Sequence, residues 1–410
     1  MIDFELDPGQ RNIQQMIRFF AKSEVRPRAL EADRNGVSDE FLLKVHKMGM
    51  AQGAMPGADK EKSGSEQMDD IGASKDSKGV RQGNRMGVIA AEEMAWGDPG
   101  VIMTFPGPGL GGPPLQFTGT PEQQKKYFGI FRKDQPPRWG AYGLTEPGAG
   151  SDVANISATC RKDGDYYVLN GRKCFITNGG RASWVIVFAT LDKSKGRSAH
   201  RAFIVEKGAP GFSVGKIERK LGLRASETAE LILEDVRVHK DQVLGGEEHY
   251  EKQGAGGFKT AMKTFDSTRP GVAAMATGIA RASYELALDA ARNLFLLSRP
   301  LGKYQSVREK LAEMERKITA ARLMIWHAAW AADLGIPNSK EASMSKSYAG
   351  VVGKWVTREA IAMVGGHGAE QERLLEKNLR DVQVFDIFEG TGQIQRLIVS
   401  RRLMQGLSIE

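Results

Sequence analysis

A single carboxylate near the end of the chain is the first candidate for chemistry. Glu389 lies in the sequence DIFEGTGQIQR (residues 386–396), between apolar residues and a flexible Gly-Thr-Gly turn. Apolar surroundings raise the pKa of a carboxyl group, which turns it into a usable general base. The same residue would also suit the first turn of an ordinary helix, where the helix dipole stabilises negative charge. Taken alone, this stretch favours the helix-start interpretation.

A second candidate is the run YGLTEPGAGSD (residues 142–152), where a predicted strand ends in a Pro-Gly turn. The turn exposes backbone N–H groups and the hydroxyls of Thr145 and Ser151 on one side. Such a surface suits an anionic or carbonyl-rich ring system. A plain β-turn is the alternative.

Two further segments carry polar groups at defined spacing. FITNGG (175–180) places an aromatic ring and a hydroxyl on a predicted strand before a turn, and FDSTRP (265–270) places a carboxylate and a guanidinium on a predicted helix. The Pro/Gly run 107–114 could pass for a phosphate-binding loop. However, no strand precedes it and its prolines lack amide donors, which favours a packed turn or a pocket wall.

The elements that must position these residues change character twice along the chain. The apolar spacing predicts helices up to residue 136, interrupted by a Gly/Ser/Lys-rich excursion over 53–83 that would suit a lid or an insertion. Short β-rich runs follow from residue 139, with Asn170-Gly171 as a hairpin signal. From residue 246 the helical period returns. We therefore predict an α+β chain with three domains: an N-terminal helical domain (1–136), a central antiparallel β-barrel or sandwich (137–245) and a C-terminal helical bundle (246–410).

Within these three domains the residue pattern predicts seven helices and six strands. They are helices over 10–26, 39–48, 84–96, 273–296, 307–334, 340–364 and 394–403, and strands over 139–144, 166–169, 173–177, 184–190, 202–205 and 229–238.

Composition excludes several classes of protein. The 410 residues contain no apolar run near the ~20 needed to span a bilayer, and the acidic N-terminus lacks a signal-peptide pattern. Cys160 and Cys174 are too few for a disulfide framework or a metal cluster, so we expect a cytoplasmic protein without a metal site. The net charge of +8 is spread along the chain, which disfavours a nucleic-acid groove and suits small anions such as phosphates or coenzyme A.

Together these motifs resemble the acyl-CoA dehydrogenase family. The matching text is YGLTEPGAGSDV (142–153), FITNGG (175–180), LGLRASETAELILEDVRV (221–238), FDSTRP (265–270), GGHG (365–368) and RDVQVFDIFEGTGQIQR (380–396), in the family's order and spacing. The resemblance implies non-covalent FAD, a homotetramer, a helix–strand–helix domain order and a four-helix C-terminal bundle. It also implies desaturation of an acyl-CoA thioester, with electrons passed to an electron-transfer flavoprotein.

The resemblance further implies roles for single residues. Glu389 matches the family's catalytic base. Some relatives carry the base just before the Arg of FDSTRP, where this chain has Thr268, so Glu389 has no rival. The remaining matches form two groups. Cofactor contacts are expected at Tyr142, Leu144, Thr145, Ser151, Phe175, Thr177, Arg299, Gln305, Gly366, Thr391 and Gln393, and substrate contacts at Ser151, Asp266, Arg269 and Gly390.

Three departures from the family pattern matter. The chain between Arg299 and Leu311 is about four residues shorter than usual, and Ala362 replaces a common Gln, so FAD contacts across a subunit boundary are expected to differ. Small residues in 106–114 would leave room for a wide acyl group or simply reshape the backbone.

Related reactions also remain as alternatives: enoyl-CoA reduction, acyl-CoA oxidation by oxygen, elimination, or a catalytically silent CoA- and FAD-binding protein.

Overall fold

The N-terminal helices begin at capping signals in the sequence. The computed structural model describes residues 2, 4–49, 82–252, 256–370 and 373–405. Asp7 and Gln10 form a capping box at the first helix, and Ser38 caps the third. The excursion predicted at 53–83 lies almost wholly outside the described residues. The helices of this part are α1 (Pro8–Phe20), α2 (Ala29–Asn35), α3 (Asp39–Lys47), α4 (Gly83–Gly97), α5 (Pro99–Ile102), α6 (Gly112–Thr118) and α7 (Pro121–Gly129).

A single seven-stranded sheet occupies the middle of the chain. The strands are β1 (Gly140–Gly143), β2 (Thr159–Asp163), β3 (Tyr166–Thr177), β4 (Trp184–Thr190), β5 (His200–Glu206), β6 (Phe212–Ile217) and β7 (Thr228–His239). Their order in the sheet is β1-β4-β2-β3-β7-β6, and β5 pairs with β4. Most neighbours are antiparallel as predicted, but β1 and β2 each pair with β4 in parallel.

The predicted hairpin at Asn170-Gly171 is wrong. The two runs that it was meant to connect form one continuous strand, β3, and the register against β7 shifts between Leu169 and Gly171. Gly171 has φ 143°, and a Cβ atom there would lie 2.6 Å from Cβ of Ala158. The glycine therefore serves a bulge and a close backbone approach. Strands β2 and β6 were not predicted.

Helices return after the sheet. The helix predicted to start at residue 273 begins instead at Gly256, so the FDSTRP segment lies inside it with Pro270 in the helix interior. The elements are α8 (Glu247–Lys252), α9 (Gly256–Asn293), the short hairpin β8 (Phe295–Leu296) and β9 (Arg299–Pro300), α10 (Gln305–Asp333), α11 (Ser339–Val364), α12 (Gly366–Ala369), α13 (Leu374–Val382) and α14 (Gly392–Leu403).

One apolar core joins the N-terminal helices to the bundle. Met86 and Ile89 of α4 pack with Val272 and Ile279 of α9 and with Ile325 of α10. Burial of these side chains fixes α4 against the bundle, which places the α4–α9 groove beside the motifs singled out above. The predicted fold class is confirmed, whereas the domain boundaries at 136 and 245 stay predictions.

The cysteines, the helix lengths and the possible metal ligands bear on three expectations from composition. Cys160 and Cys174 are both buried and unbridged. Across the described ranges, none of the helices has the length and apolar character needed to cross a membrane. The described residues also contain no group of His, Cys, Asp or Glu side chains that could hold a metal ion.

Candidate active site

Glu389 lies in a strained turn rather than in a helix. Its backbone is left-handed, with φ 54°, and the following Gly390 has φ 98°. A left-handed backbone is uncommon for a residue with a Cβ atom and persists only where the surroundings hold it. Helix α14 begins after this turn, because Thr391 is its N-cap and accepts a hydrogen bond from the Ile394 amide at 3.3 Å. The helix-start interpretation of Glu389 is thus wrong.

Three side chains hold the backbone carbonyls of this turn. The Arg269 Nε donates to the Glu389 carbonyl at 3.3 Å. Nε2 of Gln395 donates to the carbonyls of Glu389 and Gly390 at 3.2 and 3.0 Å. Lys346 Nζ donates to the Gly390 carbonyl at 2.6 Å. Donors from α9, α11 and α14 therefore converge on two consecutive residues and hold the Glu389 side chain in place.

The carboxyl group of Glu389 is tuned by its neighbours. Burial raises its pKa above the usual value, and the Thr268 hydroxyl, Arg269 and Lys346 oppose this rise. The Thr268 Oγ1 donates to Oε2 of Glu389 at 2.6 Å. Burial, and then the negative charge of Glu389, raise the pKa of Tyr142 well above its usual value. A raised carboxyl pKa of this kind is typical of a general base.

A cavity of about 390 Å³ opens beside Glu389 and Thr268. Its walls come from α4, from the 109–113 segment, from α9 and from the end of α10. Small side chains dominate the lining. The Pro/Gly run 107–114 contributes to this wall, in agreement with the pocket-wall interpretation, although α6 already begins at Gly112. The lining residues are Gly83, Asn84, Gly87, Val88, Ala91, Gly109, Leu110, Pro113, Ser267, Thr268, Pro270, Gly271, Val272, Met275, Ala329, Ala332, Asn338 and Glu389.

The segment after β1 is fastened to β3 by a buried ion pair. Lys173 and Glu146 are 0% and 2% exposed, and Lys173 Nζ lies 2.6 Å from Oε1 of Glu146. The Ser157 amide and hydroxyl each donate to the same carboxylate at 2.6 Å. The Cys174 amide donates to the Thr145 carbonyl at 2.9 Å. Thr145 is therefore held directly beside the β3 residues that precede Phe175.

Models of three protein domains match almost the whole chain. They are described as the N-terminal domain of acyl-CoA dehydrogenase over residues 7–130, its middle domain over 141–236 and its C-terminal domain over 255–404. The chain belongs to the acyl-CoA dehydrogenase family. Members of this family are FAD-dependent flavoproteins, so this acyl-CoA dehydrogenase is an oxidoreductase that uses FAD.

Individual relatives of this acyl-CoA dehydrogenase align over nearly its full length. The short-chain specific acyl-CoA dehydrogenase of Clostridium acetobutylicum is 37% identical, with 98% of this chain and all of the relative covered. The 3-(aryl)acrylate reductase of Clostridium sporogenes is 38% identical, with 96% and 98% covered. A solved structure described as the electron transferring flavoprotein of Acidaminococcus fermentans contains a chain 35% identical, with a TM-score of 0.85 and with 98% of this chain and all of that chain covered.

The chain's own residues fit FAD at the surface between β1 and β3. Phe175 is 64% exposed with φ 58°, so a large apolar ring is presented outward at the end of β3. Thr177, two residues on, ends the same strand, and Ser151 is exposed in the neighbouring turn. An outward aromatic ring on a strand that also carries a hydroxyl suits a flat, carbonyl-rich isoalloxazine ring. Tyr142 and Leu144, which are also expected to contact the cofactor, are buried.

Other residues expected to contact the cofactor or substrate lie in three further places. Thr391 caps α14 and Gln393 is exposed in its first turn. Arg299 is exposed on β9 and donates to the Lys303 carbonyl at 3.0 Å, while Gln305 bonds Glu309 at 2.7 Å. Among the described residues, no contact joins Arg299 or Gln305 to Glu389.

Of the remaining expected residues, Asp266, Arg269 and Gly390 lie close to Glu389, and Gly366 does not. Asp266 pairs with Arg269 at 2.8 Å on α9, and Arg269 contacts the Glu389 carbonyl. Gly390 belongs to the base turn itself, whereas Gly366 starts the short helix α12.

Lys346 and Gln395 were missed from the sequence. Both contact the turn that carries Glu389, and both are fully buried. In the sequence Lys346 looks like any cation on an amphipathic helix. The one available signal is that Lys346, Gly350 and Lys354 recur every four residues, which places them on one face of α11.

Proposed function

We propose that this acyl-CoA dehydrogenase oxidises an acyl-CoA thioester between Cα and Cβ, with Glu389 as the base that removes the α-proton. The observation that carries the proposal is the Glu389 carboxyl itself. It opens onto the 390 Å³ cavity from a strained turn, with a raised pKa and a hydrogen bond from Thr268. Within the part of the chain that the structure describes, no other carboxylate lines that cavity. A base with these properties is suited to the weakly acidic α-proton of a thioester.

The chain's residues divide the work of the reaction. Glu389 takes the α-proton onto a carboxylate oxygen as the Cα–H bond breaks and the Cα=Cβ bond forms. FAD, when bound, would supply flavin N5 as the acceptor for the β-hydrogen, which would leave as hydride. Arg269, Lys346 and Gln395 hold the base turn, and Thr268 orients the carboxyl group. The amide of Glu389 is our candidate donor to the thioester carbonyl, where negative charge develops.

The cavity bears on which acyl group is accepted. Glycine and alanine residues line much of it, and this favours a short or wide acyl group over a requirement for one long straight chain. A relative named for short-chain acyl-CoA and another named for 3-(aryl)acrylate both match at near-full length. The second name, together with the small side chains that line the cavity, supports a second candidate function: reduction of an aryl-substituted enoyl thioester, the same chemistry run in reverse.

The electron acceptor and the assembly are further parts of the proposal. We propose an electron-transfer flavoprotein as the electron acceptor, on the basis of the matching chain in the solved structure of such a protein. We further propose a homotetramer in which Arg299 and Gln305, exposed on the β8–β9 hairpin and at the start of α10, contact FAD of a neighbouring subunit. The two unbridged cysteines favour a reducing cytoplasm.

The test uses the purified yellow protein without oxygen. Butyryl-CoA and 3-phenylpropanoyl-CoA are each expected to bleach the flavin, and Glu389→Gln is expected to keep the colour but bleach several orders of magnitude more slowly. Near-normal bleaching by the variant would refute Glu389 as the base. If dithionite-reduced protein is reoxidised by cinnamoyl-CoA while neither saturated thioester bleaches the oxidised form, the reductase is the correct function. Rapid reoxidation by oxygen would indicate an oxidase.

A further inference from the structure

Lys346 is a buried cation that contacts the base turn at a backbone carbonyl. The residue is 0% exposed on α11, and its Nζ donates to the Gly390 carbonyl at 2.6 Å. Gln395 supplies the second donor to that carbonyl, at 3.0 Å. A carbonyl with one neutral donor is already satisfied. A second, charged donor in a buried position therefore needs a further reason.

The same face of α11 holds the other end of the base segment. Gly350 lies one turn after Lys346, and a Cβ atom there would lie 3.2 Å from the Cα of Asp386. Lys354, one turn further, has its Nζ 2.5 Å from Oδ2 of Asp386. The helix thus binds the segment 386–390 at both ends, at Asp386 through Lys354 and at Gly390 through Lys346. A segment held in this way has little freedom to relax its left-handed residue.

We propose that Lys346 is a positioning residue for the base: it holds the Gly390 carbonyl so that Glu389 stays left-handed, and its positive charge favours the Glu389 carboxylate. The inference rests on Glu389 being the base. Loss of Lys346 would let the turn relax and would leave the carboxyl group protonated to a higher pH. Both effects slow proton removal from the substrate.

The charges around Lys346 agree with a functional role. Burial lowers its pKa to about 8; Asp386 and Glu389 favour the ammonium, and Arg269 and Lys354 oppose it. The other groups on the packed elements are Asp266, which is paired with Arg269, and the neutral Gln395. A lysine with a lowered pKa binds fewer protons in the folded than in the unfolded protein at pH 8–10, so stability rises with pH there. Below pH 8 the charge is therefore a net cost to folding.

The experiment compares Lys346→Met, Lys346→Arg and a control, Lys310→Met, in the FAD-loaded protein. Lys310 is a suitable control because it is another lysine of the helical bundle. Its side chain is partly exposed and pairs with Glu359. The anaerobic bleaching rate with butyryl-CoA is measured from pH 5 to 9. For Lys346→Met we expect a bleaching rate at least tenfold lower at pH 6.5, with no fall in Tm. The acid limb of its pH–rate profile should lie about one pH unit higher than in the wild type. Lys346→Arg should restore the position of that limb.

A second readout does not depend on turnover. The Tm difference between the wild-type and Glu389→Gln proteins changes with pH between the unfolded and the folded pKa of Glu389, so the pH at which the change ends reports the folded-state pKa. That end point should move up by about one pH unit when both proteins also carry Lys346→Met. An unmoved end point, or an unchanged acid limb, would overturn the inference, as would a lower Tm for Lys346→Met without rescue by Lys346→Arg. If instead the wild type fails to bleach, or Glu389→Gln bleaches normally, the proposed function fails and the end point alone decides the role of Lys346.

Discussion

The Thr268 hydroxyl lies 2.6 Å from Oε2 of Glu389, although the two residues are 121 positions apart in the chain. Thr268 occupies the position on α9 where some relatives are expected to carry the base. The contact shows that this position and Glu389 reach the same point at the cavity wall. A base could act there from either element, and in this chain the carboxylate comes from the turn before α14.

Replacing Glu389 should make the protein more stable at neutral pH. Because its pKa is raised in the folded state, the folded protein binds more protons than the unfolded chain between the two pKa values. Stability therefore falls as pH rises through that window, and above it the cost of burying the carboxylate is complete. We expect Glu389→Gln to raise Tm at pH 7 by at least about 1 °C. Thermal unfolding with FAD bound measures this, and at pH 4 the difference should vanish.

Removal of the Thr268 hydroxyl should slow the reaction in a pH-dependent way. Without this donor the pKa of Glu389 rises further, since the hydrogen bond lowers it. For Thr268→Val we expect a bleaching rate about three- to tenfold lower at pH 6.5 and a smaller loss at pH 8.5. Thr268→Ser keeps the hydroxyl and is the matched control. An equal loss at both pH values would show that Thr268 acts on something other than the ionisation of Glu389.

Filling the cavity from α4 should change which acyl groups react. Gly87 lines the cavity, and a Cβ atom there would meet no heavy atom of the described residues within 4 Å. Gly87→Leu should therefore fold normally and lose activity on 3-phenylpropanoyl-CoA by at least tenfold more than on butyryl-CoA. Gly87→Ala and, away from the cavity, Gly129→Ala serve as controls for loss of a helical glycine. Equal loss on both thioesters would mean that the acyl group does not occupy this part of the cavity.

Breaking the Lys173–Glu146 pair should destabilise the FAD-binding surface. Both side chains are almost fully buried, so Lys173→Met leaves an uncompensated carboxylate at a cost of about 3–5 kcal/mol. We expect a lower Tm and loss of FAD during gel filtration. Adding Glu146→Gln should recover part of the stability, because the unpaired charge is removed. Lys126→Met breaks an exposed pair with Glu206 and should cost at most about 1 kcal/mol.

Local sequence rules failed where distant parts of the chain meet. Asn170-Gly171 is a strong hairpin signal, but in this fold β3 needs a glycine where Ala158 approaches its backbone. The start of α9 was missed for a similar reason. Its first turns carry Gly256, Gly257 and, later, Pro270, which weaken the helical pattern, while packing against the sheet and α6 stabilises the helix. Tertiary contacts outweigh local preferences of about 1 kcal/mol for each glycine and about 3 kcal/mol for the proline.

The amino-acid sequence by itself determined the order of helices, strands and helices, the family resemblance, and Glu389 as the candidate base. Each of these depends on residue types at short spacing, which can be read along the chain. The tertiary structure decided the left-handed turn at Glu389, its hydrogen bond from Thr268, and the burial of Lys346 against the Gly390 carbonyl. These depend on side chains from α9, α11 and α14 meeting at one point. Burial and hydrogen bonding between such distant residues leave no pattern in the local sequence, because a lysine that will be buried looks the same as one that will face water.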